Sequence, residues 1–265
     1  MNSQYRIGFI GAGRVARTLA PLLATAGADI AAISSRNTED AIALAATIDR
    51  CIAYRDAQDV VNACDLIFLT VPDHAIEEVC ACLAWQPSHE VVHCSGATEI
   101  SALAKAADAG ARVGGFHPLQ IFSDPILARK NLAGSFVALE ADSTLAGHLE
   151  KLAEMLDLRV LSLAPGGRAA YHLAANLAAS CLLAVLEEAR SAWKAGGLPE
   201  DTALQALRPL IQGTLETAMH VGLPGAVSGP IARGDATVLT RHLAEARKFQ
   251  RGDSFYLELL NRLLR

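Results

Sequence analysis

The chain has 265 residues, enough for one large domain or two unequal ones at roughly 150 residues per domain. Its formal charge is -5, and no run of Lys or Arg exceeds the pair Arg247-Lys248, which excludes the electrostatic footprint of a nucleic-acid or membrane-surface binder. Apolar residues make up 52% and aromatics only 5%, so the core is expected to be Ala, Leu, Val and Ile, with much helix.

In chain order, short β-branched runs alternate with helical periods. Strands are predicted over Arg6 to Ile10, Ile30 to Ser34, Cys51 to Tyr54, Leu66 to Val71, Val91 to Cys94 and Arg112 to Phe116. Gly27 stops the first helix, and Asn37-Thr38 opens the second ahead of Glu39 and Asp40. A further strand pair, Ser135 to Leu139 and Val160 to Leu163, brackets a helix from Ser143 to Leu156. Apolar runs of this length with helices between them suit strands buried on both faces of a parallel sheet. Past Gly167 the strand signal disappears. Ala169 to Ala195 reads as one long helix ended by Gly196-Gly197, followed by a helix that Pro209 kinks or splits and by shorter helices from Asp235 and Asp253. The expected fold class is α/β: a doubly wound, mostly parallel sheet over residues 1–164 and a second, smaller all-helical domain over 165–265.

The six cysteines, Cys51, Cys64, Cys80, Cys82, Cys94 and Cys181, lack the spacing of a disulfide framework or a zinc site, so they read mostly as buried free thiols and no metal is expected. The first residues lack the charged and long apolar regions of a signal peptide, and no stretch approaches 18 uninterrupted apolar residues. A reduced, cytoplasmic setting away from membranes is the expectation.

"RIGFIGAGRVA" sets Gly11, Ala12, Gly13, Arg14 and Val15 between a predicted strand and a predicted helix. Glycines there permit a tight turn and close backbone approach to a pyrophosphate, with the amides of the helix start facing the anion. An NAD-type site would place an acid at the end of the second strand; Ser34, Ser35 and Arg36 stand there instead, which suits the 2'-phosphate of NADP(H). A solvated Arg36 is the plainer alternative. Val71-Pro72-Asp73 ends the fourth strand, with Asp73 able to cap the next helix, and the nicotinamide half of a dinucleotide would lie against this turn. "VVHCSGAT" delivers Ser95 and Gly96 to the same edge, where cofactor or substrate could meet a hydroxyl and backbone amides.

In "GGFHPLQIF", His117 sits at the carboxyl edge of the sixth strand, and Pro118 is expected to stop the ladder. Arg168, His172, Asn176 and Ser180 recur every four residues and form one polar stripe on an Ala- and Leu-rich helix. Such a stripe either faces a ligand or forms a hydrogen-bonded network; spacing alone weighs the two equally. "SGPIARGD" adds Ser228 and Arg233, a fork for a carboxylate, and Asp235 as an N-cap.

Taken together, "GFIGAGRVA", "TVPDHAI", "HCSGA", "GGFHPLQIF", "RAAYHLAAN" and "SGPIARGD" resemble the Rossmann-like proteins with a helical C-terminal domain known as DUF2520. These fall within the 6-phosphogluconate dehydrogenase-like superfamily, beside pyrroline-5-carboxylate, ketopantoate and coenzyme F420-dependent NADP reductases and prephenate dehydrogenases. The resemblance implies NADP(H) binding in the first domain, a homodimer formed through the helical domain, and a substrate cleft between the two. Where such proteins often carry a lysine, this chain has Arg168, which stays charged and cannot act as a general acid near neutral pH. Proton donation then falls to His172, His117 or water, with His172 favoured and Asn176 orienting the substrate. Arg168 is expected to clamp a carboxylate or the cofactor phosphate. The expected activity is NADPH-dependent hydride transfer to a small, anionic carbonyl or imine such as a 2-oxo acid. A non-catalytic NADP-binding sensor and a prephenate-type dehydrogenase are the alternatives.

Overall fold

A computed structural model describes residues 5–248 and 252–263. The chain opens with β1 Arg6–Ile10, α1 Arg14–Thr25, β2 Asp29–Ser34, α2 Thr38–Ala45, β3 Ile52–Tyr54, α3 Ala57–Ala63 and β4 Leu66–Leu69. It continues through α4 Ile76–Ala81, β5 Glu90–His93, α5 Ala104–Asp108, β6 Arg112–Pro118, α6 Pro125–Asn131, β7 Phe136–Glu140, α7 Ser143–Met155 and β8 Arg159–Ser162. Helices follow: α8 Arg168–Ala178, α9 Ser180–Ala195, α10 Ala203–Ala226, α11 Gly229–Ala232, α12 Ala236–Ala246 and α13 Gly252–Leu263.

The eight strands form one sheet in the order β3-β2-β1-β4-β5-β6-β7-β8. The first six are parallel, β7 runs antiparallel to β6, and β8 is parallel to β7. Strand order reverses between β1 and β4, so the connections leaving these strands diverge to opposite faces and open a crevice at their carboxyl ends. Every residue of β4 and β5 is buried, in β4 as its continuous apolar run requires and in β5 with Glu90 and His93 buried at the strand ends. On one face Phe9 stacks on Phe68 with ring centroids 5.0 Å apart, and Phe116 meets Phe68 edge-on at 5.7 Å. On the other face Ile10, Ile67, Leu69 and Val91 pack under α3 and α4 through Val60 and Ile76. Caps set the helix starts as their sequences suggest: Asn37 accepts from the Glu39 amide and Asp235 from the Val238 amide.

Four local expectations change. Pro118 does not stop the ladder: β6 runs through it, with His117 opposite Ala138 and Pro118 opposite Val137 on β7. The pairing to β5 has already ended at His93 and Gly115, so the proline sits where only one neighbouring strand is present. Asp73 lies in a short 3-10 turn and caps no helix. The long helix predicted from Ala169 is two, broken at Ala179, so the four-residue stripe does not continue as a single face to Ser180. Pro209 is carried inside α10, whose kink lies instead at Gly222 (φ 79°, ψ 161°), ahead of Pro224.

The chain divides into two compact units, up to Ala175 and from Asn176. The division falls inside α8, beyond the boundary expected at 164/165, because the first turns of α8 are tied by Arg168 to β7 and to the loop after β5. All six cysteines are free; Cys64, Cys80 and Cys94 are buried, whereas Cys82 and Cys181 are exposed, contrary to the simplest reading. Residues 168–195 are apolar enough, at a mean hydropathy of 1.6, to match a bilayer-crossing helix by length and composition, but they begin with a buried ion pair and break at Ala179.

Candidate active site

The turn after β1 is built by backbone. Gly11 has φ 107°, and a Cβ there would lie 2.7 Å from the Thr70 carbonyl group, so only glycine fits. Its amide donates to the Ser34 carbonyl at 2.8 Å, and the Thr70 hydroxyl donates to the Gly11 carbonyl at 2.8 Å. The turn is thus held from both β2 and β4. No side chain caps the start of α1, leaving the first-turn amides of Arg14 and Val15 for an anion.

This turn forms one wall of a cleft of about 800 Å³, within the range of small-molecule sites. Gly11, Ala12 and Gly13 line it from β1, Ser34, Ser35 and Arg36 from β2, and Val71 and Pro72 from the end of β4. Ser34, which lines the cleft, is 2% exposed, and its buried Oγ lacks a hydrogen-bond partner. No acid occupies the end of β2, and Asp40, which also lines the cleft, is paired with Arg17 at 2.6 Å. This donor set fits a dinucleotide with a 2'-phosphate: uncapped amides for the pyrophosphate, hydroxyls and a guanidinium for the ribose end.

Two strands along, a second polar group gathers at the same edge of the sheet. Gly96 lies beneath two imidazoles: a Cβ there would sit 2.7 Å from His172 Nδ1 and 2.8 Å from His117 Nε2. The rings are T-shaped with centroids 6.1 Å apart. His117 Nδ1 is hydrogen-bonded to the Tyr171 hydroxyl at 2.7 Å, while His172 Nδ1 is buried without a partner. Burial, with His172 and Arg168 nearby, pushes His117 down to about 4. Burial and Arg168 do the same to the fully buried His93, also to about 4. Both rings are therefore neutral near pH 7. Burial pushes Tyr171 up to about 12, so its hydroxyl keeps its proton.

Arg168 is where expectation and geometry part. It is fully buried; Nε donates to Glu140 at 2.6 Å and Nη1 to the Ser95 carbonyl at 2.8 Å. Its guanidinium fills the space that Gly115 leaves by having no side chain. The guanidinium is sealed from solvent, with Nη2 left unpartnered against Gly115, so Arg168 is a strut and the substrate-clamp expectation is withdrawn. Ser95 changes role too. Its hydroxyl accepts from the Ala97 and Thr98 amides and bonds the Thr98 hydroxyl at 2.9 Å, which closes its own turn and leaves nothing to offer a ligand. Asn176 is exposed one turn beyond His172; Ser228 and Arg233 are exposed on the helical unit, and Arg233 forms no ion pair among the described residues. Sequence reasoning missed Thr70, Tyr171 and Glu140. Tyr171 was legible as the neighbour of His172, but its bond to His117 joins residues 54 positions apart.

Comparison with known proteins fits this layout. Residues 6–96 match the family model described as NADP oxidoreductase, coenzyme F420-dependent, and residues 135–262 match DUF2520, a domain of unknown function. This is a Rossmann-like protein of the DUF2520 type. The first match makes it an NADP-dependent oxidoreductase, with NADP(H) as cofactor. No curated protein sequence matches this DUF2520-type chain. Among solved structures it is similar to a Bacteroides fragilis protein proposed to be an NADP oxidoreductase (24% identity, 98% of each chain covered, TM-score 0.77). It is also similar to an Aspergillus terreus reductive aminase in complex with NADPH and ethyl-5-oxohexanoate (14%, 98% and 93%, 0.75) and a Coxiella burnetii pyrroline-5-carboxylate reductase (18%, 97% and 94%, 0.64). At these identities the likeness is one of fold.

Proposed function

We propose that this DUF2520-type protein reduces a small, carboxylate-bearing carbonyl or imine, a 2-oxo acid or cyclic imine, with NADPH. The observation that carries the reading is the pair of imidazole nitrogens meeting over Gly96 at the sheet edge that also holds the dinucleotide cleft. Gly11, Gly13 and the first turn of α1 would hold the pyrophosphate, and Ser34, Ser35 and Arg36 the ribose 2'-phosphate. Bound there, NADPH supplies a hydride. His172, whose Nδ1 lies over Gly96 without a partner, donates a proton to the developing oxyanion or amine. His117, held neutral and bonded to Tyr171, orients the reacting group. Within the helical unit Asn176, Ser228 and Arg233 are exposed hydrogen-bonding groups, and Arg233, with no ion pair among the described residues, is a fork suited to a carboxylate. Within the helical unit, Leu210, Leu215, Met219 and Leu223 are all more than half exposed, Met219 at 88%, and a second copy of the chain would cover them as a homodimer.

The test is a panel of 2-oxo acids and cyclic imines monitored by NADPH absorbance, with His172→Ala beside the wild type. The expected result is turnover in the wild type that falls about 10²-fold or more in the variant, while NADPH affinity is retained. Tight, stoichiometric NADPH binding with no reduction of any panel member would overturn the reading.

A further inference from the structure

We propose that Arg55 is a second cation for the adenosine 2'-phosphate, closing on it from β3 while Arg36 approaches from β2. The inference rests on NADP(H) being the cofactor and extends the Arg36 reading to a residue that the strand-end rule does not reach.

Register supplies the first argument. β2 and β3 are parallel with Ser34 opposite Tyr54, so one strand leaves the sheet as Ser35-Arg36 and its neighbour as Arg55-Asp56 at the same edge. Arg36 and Arg55 are both exposed and both line the cleft. Neither forms an ion pair among the described residues, in contrast to Arg17, which is spent on Asp40. Ser34 is the independent sign of a ligand here, since it lines the same cleft and its buried Oγ has no hydrogen-bond partner. None of the carboxylates along this wall forms an ion pair with either guanidinium among the described residues. Asp40 carries Arg17 and accepts from Asn37, and Asp56 accepts from the Gln58 amide at the start of α3. Glu78 belongs to α4, on the β4 side of the cleft.

Two exposed cations lining one cleft raise its positive potential and favour an anion that both can reach. A phosphate monoester has three terminal oxygens and about two charges near neutral pH, enough for both forks; the ribose hydroxyl of NAD offers neither charge nor enough acceptors. The second arginine therefore acts on the choice between cofactors.

The experiment is calorimetric titration of the full chain with NADP+ and NAD+, and with adenosine 2',5'-bisphosphate and adenosine 5'-monophosphate, which differ only in the 2'-phosphate. R55A is expected to weaken NADP+ and the bisphosphate about tenfold to a hundredfold and to leave NAD+ and the monophosphate within about twofold, with R55K intermediate. An equal loss for all four ligands would assign Arg55 to the adenine or to local structure and overturn the proposal; unchanged binding of all four would overturn it as well. A wild type that binds NAD+ as tightly as NADP+ would fail the Arg36 reading itself, before either Arg55 variant is read.

Discussion

The dinucleotide cleft and the histidine cluster lie along one sheet edge, yet they are made by opposite means. Around β1, β2 and β3 the walls are main chain and solvent-facing charge: a glycine turn pinned by Thr70 and Ser34, uncapped amides, and two exposed arginines. Around β5, β6 and α8 the walls are buried side chains, with Arg168 and Glu140 as a strut and His93 and His117 held neutral by burial. The first region presents fixed dipoles to an anion already formed, so it can stay wet. The second has to keep protons where they are until charge develops, and removal from water does that. A buried polar cluster is correspondingly fragile: Arg168 is held by Glu140 and the Ser95 carbonyl and His117 by Tyr171, whereas both His93 nitrogens, His172 Nδ1 and Arg168 Nη2 are buried without a hydrogen-bond partner.

The strut is where the contrast breaks most sharply. Arg168→Ala leaves Glu140, only 13% exposed, without its counter-charge, and a loss of about 3–5 kcal/mol is expected in chemical denaturation. A loss under about 1 kcal/mol would mean that the pair is solvated and the cluster wet. Acid comes next. His93 and His117 have folded-state values of about 4 against an ordinary 6.5, so between these values the unfolded chain binds protons that the folded chain refuses. Their contribution is present above pH 6.5 and lost as pH falls towards 4, at about 1.4 kcal/mol per pKa unit or on the order of 3 kcal/mol per ring. Denaturation midpoints across that window should fall steeply for the wild type and less so for His93→Gln; equal slopes would show that His93 does not carry the effect. Smallest is Gly96→Ala, whose methyl would press on His117 and His172. It should cost about 1–3 kcal/mol and suppress turnover while NADP+ affinity stays near wild type. Matching losses in both would mean that the two regions are not separable.

How much of this could be read in advance follows from the range of the interactions. The alternation of strands and helices, the glycine turn, the absent acid after β2 and the caps at Asn37 and Asp235 rest on neighbours in sequence, and all were legible. Pro118 was misread because its effect depends on which strands flank it: only β7 does at that point. Arg168 was misread because a guanidinium beside polar residues looks the same whether it waits for a substrate or spans a core. Its partner Glu140 is 28 residues away, and the space it needs is made by Gly115 on another strand.

The sequence by itself therefore determined the doubly wound sheet, the place of the glycine turn and the missing acid after β2, since local backbone geometry and residue identity decide these. Only the tertiary structure decided that Arg168 is a strut, that Ser95 closes its own turn, that Tyr171 bonds His117, and that Arg55 lines the same cleft as Arg36. Each of these depends on strand register and on burial, which bring distant residues together and set the dielectric in which their charges act.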